Sequence, residues 1–303
     1  MSNSNNDIKK FQKTVWDFYK KNKRDFPWRQ TQNPYHILVS EIMLQQTQAD
    51  RVVRYFENWI KRFPDFTSLA QATFSQMYPF WQGLGYNRRA LALKRTAEKT
   101  VKEFGGKLPT NITALEQFPG IGPYTARAVS IFSFNTPVAC IETNIRRVFI
   151  HHFFPSPAGV RINADSNADL RRYEKIDDKA IMKLAELALD KKNPREWHWA
   201  LMDYGAYLKS HPPGGGPNPN RRHKNYSIQS KFEGSLRQIR GATLRILSGE
   251  SMTTNELIKR LKKALRPSSG QATNQTEERI KKVIAILEKE GLIEQSKKVY
   301  SLK

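Results

Sequence analysis

Along the chain, stretches in which apolar residues recur at helical spacing are separated by short clusters of glycine, proline and asparagine. Over residues 8–23, Ile8, Phe11, Val15, Phe18 and Tyr19 fall on one face with lysines between them, which predicts an amphipathic helix. Asn33-Pro34-Tyr35 then turns into residues 37–44, a run that is apolar nearly all round, as a buried helix is, yet carries Glu41 in its middle. A carboxylate in such a place has to be paired, hydrogen-bonded or protonated. Residues 51–110 predict further amphipathic helices, with Phe56, Trp59, Ile60 and Phe63 along one face. Gly83-Leu84-Gly85-Tyr86 interrupts them before a helix over 90–104 that Gly105-Gly106 closes. More helices are expected over 129–134, 145–154, 179–189 and 197–206, with a turn-rich loop at 155–175.

From Lys231 the pattern becomes charged and helix-rich. Helices are predicted over 242–247, from Met252-Thr253-Thr254-Asn255 to 264, and over 277–290 with Gly291 as the stop; residues 292–302 read as a two-stranded hairpin. Three helices followed by a hairpin is the winged-helix pattern, with 277–290 in the recognition-helix position.

Composition narrows the function classes. The 303 residues suffice for two domains, each with its own core. A formal net charge of +23 favours a polyanion as partner through counterion release. No stretch approaches the roughly 18 to 20 apolar residues of a membrane span, and Met1-Ser2-Asn3-Ser4-Asn5-Asn6-Asp7 does not read as a signal peptide. The expectation is a soluble, cytoplasmic, nucleoid-associated protein without a membrane partner. The single cysteine, Cys140, sits in an apolar run and reads as a packed thiol. It leaves this chain no intrachain disulfide and no cysteine-ligated cluster.

The densest signal is Gln117-Phe118-Pro119-Gly120-Ile121-Gly122-Pro123-Tyr124-Thr125-Ala126-Arg127-Ala128. Two glycines two residues apart, followed by Pro123, make a tight hairpin that opens a helix. Free backbone N–H groups and the positive end of the dipole suit a phosphate there, while for a lone Gly-x-Gly a plain helix–helix turn is the weightier reading. The stretch resembles the helix-hairpin-helix of the DNA glycosylase superfamily. Phe26-Pro27-Trp28-Arg29, Pro34-Tyr35, the run from Ser40 to Gln48 and Gly83-Leu84-Gly85-Tyr86 resemble, more narrowly, adenine DNA glycosylases of the MutY family, over roughly residues 8–208.

The resemblance implies an all-α, two-part helix-hairpin-helix core, and the pattern adds the C-terminal winged helix. The expected divisions are a core at 1–208, a basic Pro/Gly-rich loop or linker at 209–231, and a winged-helix-like DNA-binding domain at 232–303. It implies a monomer acting on double-stranded DNA that contains a mispair or an oxidised base. Catalysis falls to Glu41 as proton donor and Glu142 as the anion that stabilises an oxocarbenium-like sugar, the two-carboxyl logic of glycoside hydrolysis. Tyr124 stands where bifunctional relatives carry a Schiff-base lysine, which implies an intact abasic product. Gln46 and Tyr86 are implied as wedges beside the lesion base; Gly120, Ile121, Gly122, Thr125, Asn144 and Arg146 as DNA-binding residues; Trp28, Arg29 and Asp203 as the base pocket. A monovalent cation at the hairpin is the one cofactor the resemblance allows.

The chain also departs from the family. Residues 210–224 stand where relatives bind an iron–sulfur cluster through four cysteines, and they hold none. His211 and His223 alone make a poor metal site, so no metal is expected, and the loop reads as a basic strap on DNA or as a solvated linker. Glu142 replaces the family's aspartate, and a displacement of about 1 Å can cost on the order of a hundredfold in rate. The Nudix-like domain that reads 8-oxoguanine is not recognisable. A thymine/uracil mismatch glycosylase and a non-catalytic DNA-binding module are the alternatives.

Overall fold

The computed structural model describes residues 5–154, 175–212, 217–265 and 273–303, with side chains from 277 onward in the last stretch. The loop expected at 155–175 therefore lies almost entirely outside the described residues. Two compact units divide the chain.

The first unit comprises Met1–Leu38, Pro109–Gln117 and Ile121–Ile228. Its helices are α1 (Asn5–Asn22), the start of α2 (Pro34–Leu44), α7 (Ile112–Leu115), α8 (Pro123–Phe134), α9 (Thr143–Phe153), α10 (Asp178–Leu187) and α11 (Pro194–Ser210). Aromatic rings join α1, α9 and α11: Phe11 lies 5.2 Å from Phe149 and 6.0 Å from Trp197, centroid to centroid, and Trp16 lies 5.7 Å from Trp197. Buried rings of this size carry a large share of the hydrophobic stabilisation. Asn135 ends α8 in the left-handed conformation at φ 56°, as the Asn-Thr-Pro stop predicts.

The second unit comprises Val39–Leu108, Phe118–Gly120 and Gln229–Lys303. It holds the rest of α2, then α3 (Ala49–Arg62), α4 (Phe66–Gln71), α5 (Phe74–Trp81) and α6 (Arg88–Phe104). Asp65 and Thr73 open α4 and α5 with capping boxes, and Gly105 closes α6 at φ 58°, which fixes the ends of these helices locally. The same unit contains α12 (Leu236–Leu247), α13 (Thr254–Ala264) and α14 (Thr273–Lys289), with β1 (Met252–Thr253), β2 (Ile293–Ser296) and β3 (Val299–Leu302) in the order β1-β3-β2.

This is a winged helix, as the pattern predicts, with one strand more. β1 pairs with β3 through Met252 and Tyr300; two residues are too short to register as an alternation. At the tip of the β2–β3 hairpin, Lys297 (φ 48°) and Lys298 (φ 67°) are both left-handed. That is the geometry of a type I′ turn, which Asn-Gly normally fills. No helix among the described residues is long and apolar enough to cross a membrane.

Candidate active site and DNA-binding elements

Glu142 has no freedom to wander, because it is the N-cap of α9. Its Oε1 accepts from the backbone N–H of Asn144 at 2.7 Å and of Ile145 at 2.8 Å, and Oε2 accepts from Asn144 Nδ2 at 3.3 Å. One oxygen is thus saturated by the helix end and the other keeps spare acceptor capacity. Burial pushes the carboxyl up from the ordinary glutamate range, while the two amides, Arg147 and Arg146 pull the other way.

The fully buried Arg147 supports this cap. Its Nη1 donates to Asn144 Oδ1 at 2.8 Å and to Gly205 O at 2.6 Å, and its Nε to Asn218 Oδ1 at 3.0 Å. Gly205 is where α11 crosses α9: a Cβ built there would stand 2.2 Å from Asn144 O. Only glycine allows that approach. His198 supports the other side. Cys140 N–H donates to its Nε2 at 3.3 Å, so Nδ1 carries the proton and donates to Pro194 O at 2.6 Å. Burial holds His198 neutral, with its pKa down to about 4. The segment leading into Glu142 is therefore tied to the first turns of α11, and the buried Cys140 is the packed thiol expected.

Several expected DNA contacts are spent inside the protein. Arg146 forms a forked pair with Asp178, Nε to Oδ1 at 2.7 Å and Nη2 to Oδ2 at 2.9 Å, so its guanidinium positions α10. Asn144 orients Glu142. Ile121 and Thr125 are buried, so what they can offer a backbone phosphate is their amide N–H. Trp28, Arg29 and Asp203 do come together, but as a buried knot. Asp203 accepts four bonds: from Arg24 N (3.0 Å), Arg24 Nε (2.7 Å), Arg29 Nη1 (2.8 Å) and Arg29 Nη2 (2.8 Å). These four bonds occupy both oxygens of Asp203, so the carboxylate holds Arg24 and Arg29 within the protein. Trp28 stacks on Phe26 at 4.9 Å, and Arg29 lies over Phe26 and Trp199.

The basic strap expected at 210–224 is also corrected in part. Residues 217–224 are folded against the first unit: Asn220 Nδ2 donates to Thr143 O at 2.8 Å, and Ile176 N to Arg222 O at 3.0 Å. Buried Asn220 is held by the start of α9 through its Nδ2, and the backbone at 222 and 224 pairs with Ile176. His223 Nε2 stands 3.2 Å from Asp178 Oδ1. Among the described residues, no group of three or more histidine, cysteine, aspartate or glutamate side chains could hold a metal.

In the hairpin, Gly120 is left-handed at φ 77°, and a Cβ there would meet Ala92 Cβ at 2.7 Å. Gly122 is the N-cap of α8, with nothing within 4 Å of where its Cβ would be. The open helix end leaves its amides accessible to an anion. Tyr124 follows in the first turn, half-buried.

In the second unit, Glu41 is buried within α2. Past the end of α2, Gln46 is exposed and left-handed at φ 57°, and Tyr86 is 40% exposed and left-handed at φ 49°. Non-glycine residues rarely adopt this conformation. Arg89 lies between their loops, donating to the carbonyls of Ile42 (2.7 Å), Met43 (3.0 Å), Gln45 (2.6 Å), Leu84 (3.2 Å) and Gly85 (3.1 Å). Burial lowers its pKa to about 10.

Arg89, Arg147 and Gly205 escape a sequence reading. The one readable signal is a glycine inside a helical pattern, which usually has a packing reason.

A glycine hairpin leading into a helix, with a carboxylate capping the next one, places the fold in the helix-hairpin-helix class. Comparison with known proteins gives the family. Residues 39–165 match the HhH-GPD superfamily base excision DNA repair proteins. The chain is 34% identical over 242 residues to an adenine DNA glycosylase of Mycobacterium tuberculosis, covering 76% of each chain. It is 30% identical over 206 residues to a thymine/uracil-DNA glycosylase of Methanothermobacter thermautotrophicus, covering 68% of this chain and 87% of that one. The longer Mus musculus adenine DNA glycosylase is 32% identical over 210 residues, 66% of this chain and 38% of that relative. Among solved structures, a thermostable thymine-DNA glycosylase superposes with a TM-score of 0.58 at 29% identity, over 70% of this chain and 91% of that one. The chain belongs to the HhH-GPD superfamily of base excision DNA repair proteins, and it is a DNA glycosylase.

Proposed function

We propose that the chain excises adenine mispaired with 8-oxoguanine or guanine, hydrolysing the N-glycosidic bond and leaving the strand intact. The match to adenine DNA glycosylases over 242 residues carries this reading. In the reaction, Glu41 donates a proton to a purine ring nitrogen, the bond from the sugar breaks with its electron pair going to the base, and the less encumbered Oε2 of Glu142 faces the positive sugar. Water then adds to the anomeric carbon and loses a proton. Adenine and an abasic site are the products.

A second reading, excision of thymine or uracil, is favoured by a match that takes in 87% of the thymine/uracil relative's own length, though 68% of this chain against 76% for the adenine relative. Single-turnover release from A·8-oxoguanine, A·G, T·G and U·G duplexes separates the two. Adenine released fastest opposite 8-oxoguanine supports the proposal; pyrimidine release alone overturns it.

Two further outcomes are expected. Tyr124 cannot form an imine, so product strands nick only after alkali treatment, and borohydride traps no covalent complex. A nicked strand without alkali would refute the monofunctional assignment.

The Lys297-Lys298 turn places two cations at the tip of the wing in a conformation that costs about 1–2 kcal/mol per non-glycine residue. Replacing them with Asn-Gly is expected to raise the melting temperature, since that pair suits the turn. The same change should weaken DNA binding and reduce the slope of log affinity against log salt by about 2. An unchanged salt slope would show that the wing does not touch phosphate.

A further inference from the structure

We propose that Arg89 is a positioning residue for base extrusion: it locks Gln46 and Tyr86 into their left-handed conformations, so that both wedges stand ready before DNA arrives. The inference rests on the reading that these two side chains enter the duplex.

The argument is in which carbonyls Arg89 holds. Two of the five, Ile42 and Met43, lie in the last turn of α2, and an arginine there would ordinarily be read as a helix C-terminal cap. The other three do not belong to a helix. Gln45 is the residue immediately before Gln46, and Gly85 the residue immediately before Tyr86; Leu84 precedes Gly85. Holding the carbonyl of residue i−1 holds the peptide plane that enters residue i, and φ of residue i is the rotation away from that plane. One guanidinium therefore constrains φ at both wedges, with Nη1 serving the Gln45 side and Nη2 the Gly85 side.

Other groups complete the grip. Trp81 Nε1 donates to the same Gly85 carbonyl at 3.1 Å. The guanidinium lies 5.5 Å from the centroid of the Tyr86 ring and 5.5 Å from that of Trp81. The Tyr86 hydroxyl accepts a hydrogen bond from Gln229 Nε2, in the segment that leads to the winged helix. Strained non-glycine conformations persist where the surroundings over-determine them, and here a single planar five-donor group supplies most of the determination. A lysine has three donors at one point and cannot reach both loops in the same way.

The test uses the full chain and five variants: Arg89→Gln, Arg89→Lys, Tyr86→Ala, Gln46→Ala and the double variant Arg89→Gln with Tyr86→Ala. Extrusion is read by the fluorescence rise of 2-aminopurine at the target position, adenine release by single turnover, folding by near-ultraviolet circular dichroism, and binding by affinity for a duplex that already contains an abasic site. Arg89→Gln is expected to slow both extrusion and release by about tenfold to a hundredfold, with Arg89→Lys intermediate. Affinity for the abasic duplex, which needs no extrusion, should stay within about twofold. Arg89→Gln combined with Tyr86→Ala should fall no further than the slower single variant.

If Tyr86→Ala and Gln46→Ala leave extrusion unchanged, the wedge reading fails. If they slow it and folded Arg89→Gln does not, or if the double variant is fully additive, the positioning role fails. Equal loss of abasic-duplex affinity and extrusion in Arg89→Gln would also overturn it, since that is the signature of a general binding or folding defect.

Discussion

Glu142→Gln protein is expected to release adenine about a thousandfold more slowly than the parent in single turnover, while its melting temperature stays level or rises. The rate loss follows from removing the only charge that Glu142 offers a developing sugar cation, in a site where preorganised electrostatics supply much of the catalysis. The stability side follows from the cap. A glutamine oxygen still accepts from the N–H groups of Asn144 and Ile145, which donate at 2.7 and 2.8 Å to the glutamate. The folded protein holds the Glu142 carboxyl above its ordinary pKa through burial. Its favourable contribution to folding is therefore complete below the unfolded pKa and is lost as pH rises through the folded one. At neutral pH the charge opposes folding, and glutamine removes that opposition. The rate should fall as pH drops through the raised value, because the ionised form is the active one, so the acid limb of the parent lies above the ordinary glutamate range. Undiminished release by the glutamine variant would remove Glu142 from the mechanism.

Asp203→Leu should cost about 3–5 kcal/mol of stability, the usual result of stranding a buried charge, and lower the melting temperature by about 10 °C. Asp203 and Arg29 side chains are 1% and 5% exposed, so neither can recover its lost bonds from water. Arg24, at 37% exposure, can turn to solvent and contributes less. Adding Arg29→Met to Asp203→Leu should recover part of the loss, because a matched apolar pair leaves no charge uncompensated. A melting temperature within a degree or two of the parent would mean that the knot is not the tether the geometry indicates.

How much of this was legible in the sequence depended on how local the cause was. The helices, their stops at Gly105 and Asn135, and the hairpin from Gly120 to Pro123 are written in short-range chemistry; the stops stand where the turn residues put them, while several helices begin three to six residues earlier than periodicity alone places them, as α12 does at Leu236 and α14 at Thr273. Glu142 could be singled out by its place after the hairpin, but its role as an N-cap could not, since periodicity started the helix two residues later, at Ile145. The intraprotein partners of Arg29, Asp203 and Arg146 escape the sequence for one reason. A charged side chain near a functional motif reads as a ligand contact until its partner is known, and the partners lie far along the chain: Arg29 and Asp203 are 174 residues apart, Arg146 and Asp178 are 32. The docking of 217–224 was hidden in the same way, because a Pro/Asn/Arg-rich run looks solvated unless its acceptors on Thr143 and Ile176 are in view. Arg89 was invisible because its partners are backbone carbonyls, which every sequence supplies.

The crossing at Gly205 constrains how this sequence can drift. A methyl group at 205 would meet the carbonyl of Asn144 at 2.2 Å, and that carbonyl belongs to the turn that Glu142 caps. Substitution there cannot come first; α9 would have to retreat from α11 before any side chain fits, and the retreat itself would move the carboxylate. Position 205 is thus locked by order of events as much as by volume, and changes elsewhere along the two helices accumulate only so far as they leave that one meeting point undisturbed.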